Sequence, residues 1–136
     1  MTAGATIALW RAVHTALIND SALTTRLGGP KVFDEAPRGA TPPYVAFGDA
    51  RSRDWSTSTE PGVEHSMVID TWSQLHGVQE ALEISALVVD ALENAALAPA
   101  GHRLILLRAV SVETRRENGG RFIRARQGFR AVTERI

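Results

Sequence analysis

Apolar residues near the start of the chain recur at helical spacing. Trp10, Val13 and Leu17 fall at i, i+3 and i+7, with Arg11 and Asn19 elsewhere, and this predicts an amphipathic helix over residues 6–20 with Trp10 in the core. Ser21 is placed to cap a short second helix over residues 22–27, which Gly28-Gly29-Pro30 stops. That glycine pair is punctuation, not a phosphate loop, because no strand precedes it and no Gly-Lys-Ser/Thr follows. The period then changes. Residues 31–34 form a short strand candidate, and residues 35–41 a loop. Pro42-Pro43 opens an extended run, Tyr44-Val45-Ala46-Phe47-Gly48, that continues towards Arg51.

Residues 50–62 are polar and rich in Ser and Thr, with Trp55 among them, and predict a long hairpin loop closing at Pro61-Gly62. Residues 63–72 are the returning strand. Alternation puts His65, Met67, Ile69 and Thr71 on one face and Val68, Asp70 and Trp72 on the other, so apolar groups on both faces argue for a place inside a sheet. Residues 77–97 carry the strongest helical pattern. Val78, Ala81, Leu82, Ser85, Val88, Val89 and Leu92 form the apolar stripe, Gln79, Glu83 and Asp90 lie off it, and Pro99 and Gly101 end it.

The last 34 residues hold two alternating runs around Glu117-Asn118-Gly119-Gly120, a hairpin signature. With Asn118-Gly119 as the turn, Thr114 faces Ile123, Val112 faces Ala125 and Leu106 faces Ala131 on the core side. On the other side Glu113 faces Arg124, Ser111 faces Arg126, Leu107 faces Arg130, and Arg115 lies beside Phe122. Moving the turn to Gly119-Gly120 changes the partners but keeps the division, since side-chain parity is unchanged. Arg115, Arg124, Arg126 and Arg130 therefore share one face, while Arg108 falls on the core side, where it needs a carboxylate such as Asp70 or must snorkel out. The element order predicts a single α+β domain over residues 1–136: an antiparallel β-sheet with two main helices packed on one face, a long β-hairpin loop and a C-terminal β-hairpin.

Charge sharpens this picture. From residue 101 onward nine Arg stand against Glu113, Glu117 and Glu134, a balance of +6, whereas residues 1–100 carry five Arg and Lys31 against twelve acids, a balance of −6. A net charge of zero hides two portions that attract each other between copies, while nucleic-acid-binding domains more often carry an overall basic excess. Fourteen Arg to one Lys favours planar bidentate contacts over loosely hydrated point charges. At 136 residues the chain buries roughly two-thirds of its unfolded surface, enough for one core without staples, and with no cysteine it forms no disulfide. No apolar run approaches the ~20 residues of a membrane span, and the N-terminus lacks signal-peptide regions, so a soluble protein of intracellular synthesis is expected, with no membrane partner. Asn19-Asp20-Ser21 fits the glycosylation pattern but reads as a helix end.

The chemistry of catalysis is missing from the sequence. His14, His65, His76 and His102 are scattered as surface or partly buried residues, no metal-ligand spacing occurs, and no nucleophile elbow or nucleotide loop is present. Parity separates His65 from Asp70, which removes an acid-base pair with Glu64. An enzyme, a cofactor and a metal are therefore not expected. The arginine face admits three readings: a solvated strand surface, a nucleic-acid grip or a contact between subunits. A grip on single strands needs aromatic platforms, and only Phe122 and Phe129 lie in the hairpin, the latter towards the core. A subunit contact is supported by the acidic remainder, with Glu60, Glu64, Glu80, Glu83 or Asp90 as partners. A second candidate is the polar loop, with Trp55 as aromatic anchor and Glu60 beside it, set to order against a partner or a neighbour.

The order of these features resembles the small phage tail-completion proteins, or tail terminators, of long-tailed phages and phage-derived particles. The resemblance rests on Leu17-Ile18-Asn19-Asp20, Val32-Phe33-Asp34, Pro43-Tyr44-Val45-Ala46-Phe47-Gly48 and Val68-Ile69-Asp70-Thr71-Trp72-Ser73. It continues through Gly77 and the long helix, Glu113-Thr114-Arg115-Arg116, Gly119-Gly120-Arg121 and Gln127-Gly128-Phe129-Arg130. It implies a virion subunit that closes into a homo-oligomeric, usually hexameric, ring on the head-proximal end of the tail tube. Such a ring stops tube polymerisation and docks the connector or stopper proteins of the head. DNA passes through its lumen without sequence-specific binding. The alternatives are a nucleic-acid-binding adaptor using the arginine hairpin and another tube or ring subunit of a phage-like machine.

Overall fold

A computed structural model describes residues 2–74 and 77–136. Its elements run α1 (Thr2–Ile18), α2 (Ser21–Leu27), β1 (Val32–Phe33), β2 (Tyr44–Asp54), β3 (Gly62–Ser73), α3 (Gln79–Asn94), β4 (His102–Glu117) and β5 (Phe122–Arg135). The strands form one open sheet in the order β1-β2-β3-β5-β4, and α1 and α3 cover one face of it. The α+β class holds. Four strands are antiparallel, as expected, and the two-residue β1 adds a parallel edge, Val32 and Phe33 pairing with Val45 and Ala46.

Burial in α1 runs through Ala5, Leu9, Val13 and Leu17, a stripe of nearly fourfold spacing. Trp10 is only half-buried; it packs on Phe47 at 4.1 Å between ring centroids. Asp20, not Ser21, caps α2: its carboxylate accepts from the Leu23 amide at 2.9 Å. Gly28 closes the helix in the left-handed region at φ 81°. In α3 the buried stripe is Ala81, Ile84, Ser85, Val88, Ala91 and Leu92, so Ile84 and Ala91 replace Val78 and Leu82, both of which are exposed. The helix is rotated from the expected stripe because it must seat on β3 and β5 together, where Ala81 meets Ile123 and Ala125. Arg26 of α2 ties the helices, its Nη1 donating to Glu83 at 3.1 Å. Leu9, Leu17, Met67, Ile69 and Phe129 meet in the core, and truncating one such leucine costs about 2–5 kcal/mol.

The polar segment after residue 50 is strand, not loop. Pairing continues from Ala50↔Met67 to Asp54↔Val63, and the loop shrinks to residues 55–61. Composition hid this, because β2 exposes most of its distal residues. A bulge between Phe47 and Ala50 re-aims the strand at the same point. In the C-terminal hairpin Glu117 pairs with Phe122, the register of the Gly119-Gly120 turn, with Asn118, Gly119 and Gly120 all at positive φ. Strand β5 alternates strictly, with Ile123, Ala125, Gln127, Phe129, Ala131 and Thr133 buried on the helix side.

Candidate functional site: the outer face of the sheet

Helices cover one face of the sheet; the opposite face carries the arginines. Cross-strand registry puts Arg115 opposite Arg124 and Glu113 opposite Arg126. Two bulges in β4, between Leu104 and Leu106 and between Ala109 and Ser111, each add a residue and reverse parity. Leu107 therefore faces Ala131, and Arg108 faces Arg130 on the outer side. The expectation that Arg108 lies on the core side beside Asp70 is corrected by that second bulge. Like charges directly opposite one another are unfavourable, so this face needs carboxylates to hold it.

It has them, mostly from its own chain. Glu64 lies between two guanidinium groups, 2.6 Å from Arg53 Nε and 2.6 Å from Arg130 Nη2. Those hydrogen bonds, Arg53's first and Arg130's second, lower its pKa from the ordinary glutamate value. Arg124 Nη2 lies 3.0 Å from Glu117 Oε1, and its guanidinium carbon stands 5.4 Å over the Trp72 ring. Arg126 reaches the almost fully exposed Asp49 at 3.4 Å. Among the described residues Arg115 pairs with Glu113 at 3.4 Å, both side chains more than half exposed, which makes that pair weak. Asp70, buried between Ala46 and Arg126 in the ladder, has its pKa raised by burial, with Arg126 and Arg124 opposing. A Cβ at Gly48 would sit 3.0 Å from Asp70 Oδ2, which explains a glycine there.

The four expected arginines do come together on one face. Trp55 joins them at the base of the loop, not at a projecting tip: its amide donates to the Gly62 carbonyl at 2.8 Å, and Arg53 and Arg130 lie 5.0 and 5.7 Å from its ring. Glu60 is elsewhere. A hydrogen bond with the Glu134 carboxyl raises its pKa, while Glu134 is held low by Arg103 at 2.7 Å. The sheet also assembles an aromatic row that the hairpin alone could not reveal. Phe33, Tyr44, Trp72 and Phe122 follow one another across β1, β2, β3 and β5 at centroid spacings of 5.8, 6.3 and 6.3 Å. Strand parity had put Trp72 on this face; only the β3–β5 pairing set it beside Phe122.

Among the described residues the histidines form no metal-binding cluster. His14 bonds the Val32 carbonyl, His102 the Ala100 carbonyl, and His65 is fully buried with Nε2 2.9 Å from Thr133 Oγ1, more deeply than the sequence suggested. His76 lies outside the described residues. Among the described residues no group of acids and histidines could hold a metal.

A broad face of interlocked charges and aromatic rings, carried on a sheet with one long open edge, describes a protein that works by contact with other macromolecules. A family model for the tail completion protein gp17 matches residues 11–134, and the chain belongs to that family. Membership makes it a structural component of a phage-type tail. Among solved structures it is similar to a chain of the virion of a native gene transfer agent particle, with 31% sequence identity and a TM-score of 0.86. That match covers 96% of this chain and 97% of the other. A search of curated proteins finds no match.

Proposed function

We propose that the chain is a ring-forming tail terminator, in which copies close into a hexamer that caps the head-proximal end of the tail tube. The ring stops tube polymerisation and presents a joining surface to the connector or stopper protein of the head, and DNA crosses its lumen without base-specific contact. It acts without catalysis. The observation that supports this most is near-complete coverage in both directions with a chain of a gene transfer agent virion, on top of family membership. The whole domain is retained, so its role resides in surfaces.

Arg115, Arg124, Arg126 and Arg130 are the proposed subunit contact, and Trp55 and Glu60 the proposed contact with the tube or a neighbour. In-chain pairing divides these roles. Arg124 and Arg130 are held by Glu117 and Glu64, so Arg115 is the freest of the four to take a neighbour's carboxylate. Sedimentation velocity over a concentration series tests assembly, and a protein that stays monomeric at every concentration overturns the ring. Particles lacking the protein are expected to show overlong or headless tails in electron micrographs, and normal joined tails would remove the terminator role.

The aromatic row favours a second reading, a nucleic-acid adaptor, because it supplies the platforms that the hairpin lacks. Its rings are part-buried and packed on each other, which leaves little face for a base. Binding to single-stranded DNA that falls steeply with salt would support it; none at low salt removes it.

A further inference from the structure

Two apolar surfaces lie at opposite ends of this molecule, and they differ in shape. Strand β4 is one edge of the sheet, and it exposes Ile105, Val110 and Val112, each about half accessible. Ile105 and Val110 occupy the two bulges. A bulge interrupts the row of backbone donors and acceptors that a visiting strand would need, so this edge resists strand addition and offers a ridge of side chains instead. Blunting alone would call for charges at those positions, and here they are apolar.

At the other end α1 packs on β1 and β2, and between them opens a cleft of about 710 Å³. Its floor is Trp10 on Phe47, and its lip is Ile7, 52% exposed. Charges around the two surfaces are complementary. Asp34 lines the cleft and Glu35 follows it, both exposed and neither in an ion pair among the described residues. Beside the ridge stand Arg108, exposed and likewise unpaired among the described residues, and Arg115 in its weak pair with Glu113. Arg11 also lines the cleft.

We infer that the β4 ridge of one copy seats in the α1–β2 cleft of the next, a deepening that rests on the ring reading above. A closed ring needs a heterologous contact, one patch meeting a different patch. A ridge and a cleft at opposite sheet edges supply both halves on every copy. The partner is a second copy of this chain, recognised by its apolar ridge and flanking arginines.

The chain has no cysteine, so placed thiols report the contact on a clean background. In the full-length protein the double variant Ile7→Cys with Val110→Cys, treated with a short bismaleimide, is expected to give a ladder of covalent multimers. Each single variant alone gives none. Both sites are exposed, so the fold tolerates them. Val110→Glu is expected to weaken assembly roughly tenfold or more, read by sedimentation, with thermal unfolding unchanged. Efficient dimers from Val110→Cys alone would mean that the edge meets its own kind and would overturn the inference. So would the absence of a ladder from a double variant that still sediments as an assembly, and in that case the ring itself stands. A wild-type protein that is monomeric throughout sinks ring and contact together.

Discussion

Strands β5 and β4 both place arginine on the outer face of the sheet, yet they hold it in different states. On β5, Arg124 and Arg130 keep only 20% and 30% of their side-chain exposure and lie within hydrogen-bonding distance of carboxylates of the same chain. On β4, Arg115 is 59% exposed against an equally exposed Glu113, and Arg108 faces Arg130, whose carboxylate already serves Arg53. The difference follows from position. An interior strand has neighbours on both sides that can supply acids, whereas an edge strand has one; opposite Arg108 and Arg115 that neighbour offers arginine, and farther along, at Glu134, it offers Arg103 a carboxylate. A count of arginines cannot tell the two apart. The paired set steadies the sheet, and the edge set is left for a partner.

Two glycines on this face separate centre from edge most sharply. At Gly48 an added Cβ would meet Asp70 at 3.0 Å and Val68 at 3.1 Å, both side chains of the central strand. Gly48→Ala is expected to destabilise by about 1–3 kcal/mol, the cost of overpacking a site that cannot give. At Gly128 the nearest atom is Ser111 Oγ on exposed β4, at 2.5 Å, and a hydroxyl that can rotate yields more easily. Gly128→Ala should therefore cost clearly less. Urea denaturation of both variants checks the order, and equal losses would show that the edge is as rigid as the centre.

Acid probes the same contrast through two adjacent residues of β3, one on each face. His65 is buried neutral on the core face, and burial lowers its pKa below 6.5, with His102 adding to the effect. The unfolded chain then binds the extra proton first, so stability is full above about pH 6.5 and falls as pH drops below it, by up to about 1.4 kcal/mol per pH unit until the folded form titrates. Glu64 on the outer face is lowered from 4.5 by Arg53 and Arg130, so its contribution is present above that value and is lost as pH falls further. Unfolding midpoints measured from pH 7 down to about pH 2 should show two successive declines. His65→Gln is expected to flatten the upper one and Glu64→Gln the lower one. A Glu64→Gln variant with an unaltered lower decline would mean that the outer-face pairing contributes nothing to stability.

Much of this was legible from pattern. Strand parity placed Trp72 and Asp70 away from Met67 and Ile69, and the hairpin gathered Arg115, Arg124, Arg126 and Arg130 on one side. What could not be read was anything that depends on a non-local partner. The bulge at Val110 leaves no local signal, so Arg108 fell on the wrong face. The distal half of β2 is strand because β3 runs beside it, not because its own residues favour extension. The in-chain claims of Glu64 and Glu117 on the arginines needed the β3–β5 registry and the exact turn, and the exposed Val78 and Leu82 needed the seat of α3 on two strands. Family membership was legible because it rests on the order of motifs, which does not require registry.

The smallest stability effects carry the most information about assembly. Arg124→Ala removes a part-buried ion pair with Glu117 and a cation–π contact with Trp72, an expected loss of about 1–2 kcal/mol. Arg115→Ala removes a pair in which both partners face water, and unfolding should shift by no more than about 0.5 kcal/mol. In sedimentation the ranking should reverse. Arg115→Glu places a negative charge where a neighbour's carboxylate is expected, so its assembly weakens, and the weakening shrinks as salt screens the repulsion. Arg124 is held by Glu117 within its own chain, so Arg124→Ala should weaken assembly less than Arg115→Glu once its lower stability is allowed for. If Arg124→Ala instead lost assembly while Arg115→Glu kept it, the division between a structural interior set and an interactive edge set would be wrong, and the subunit contact would have to reach across the middle of the sheet.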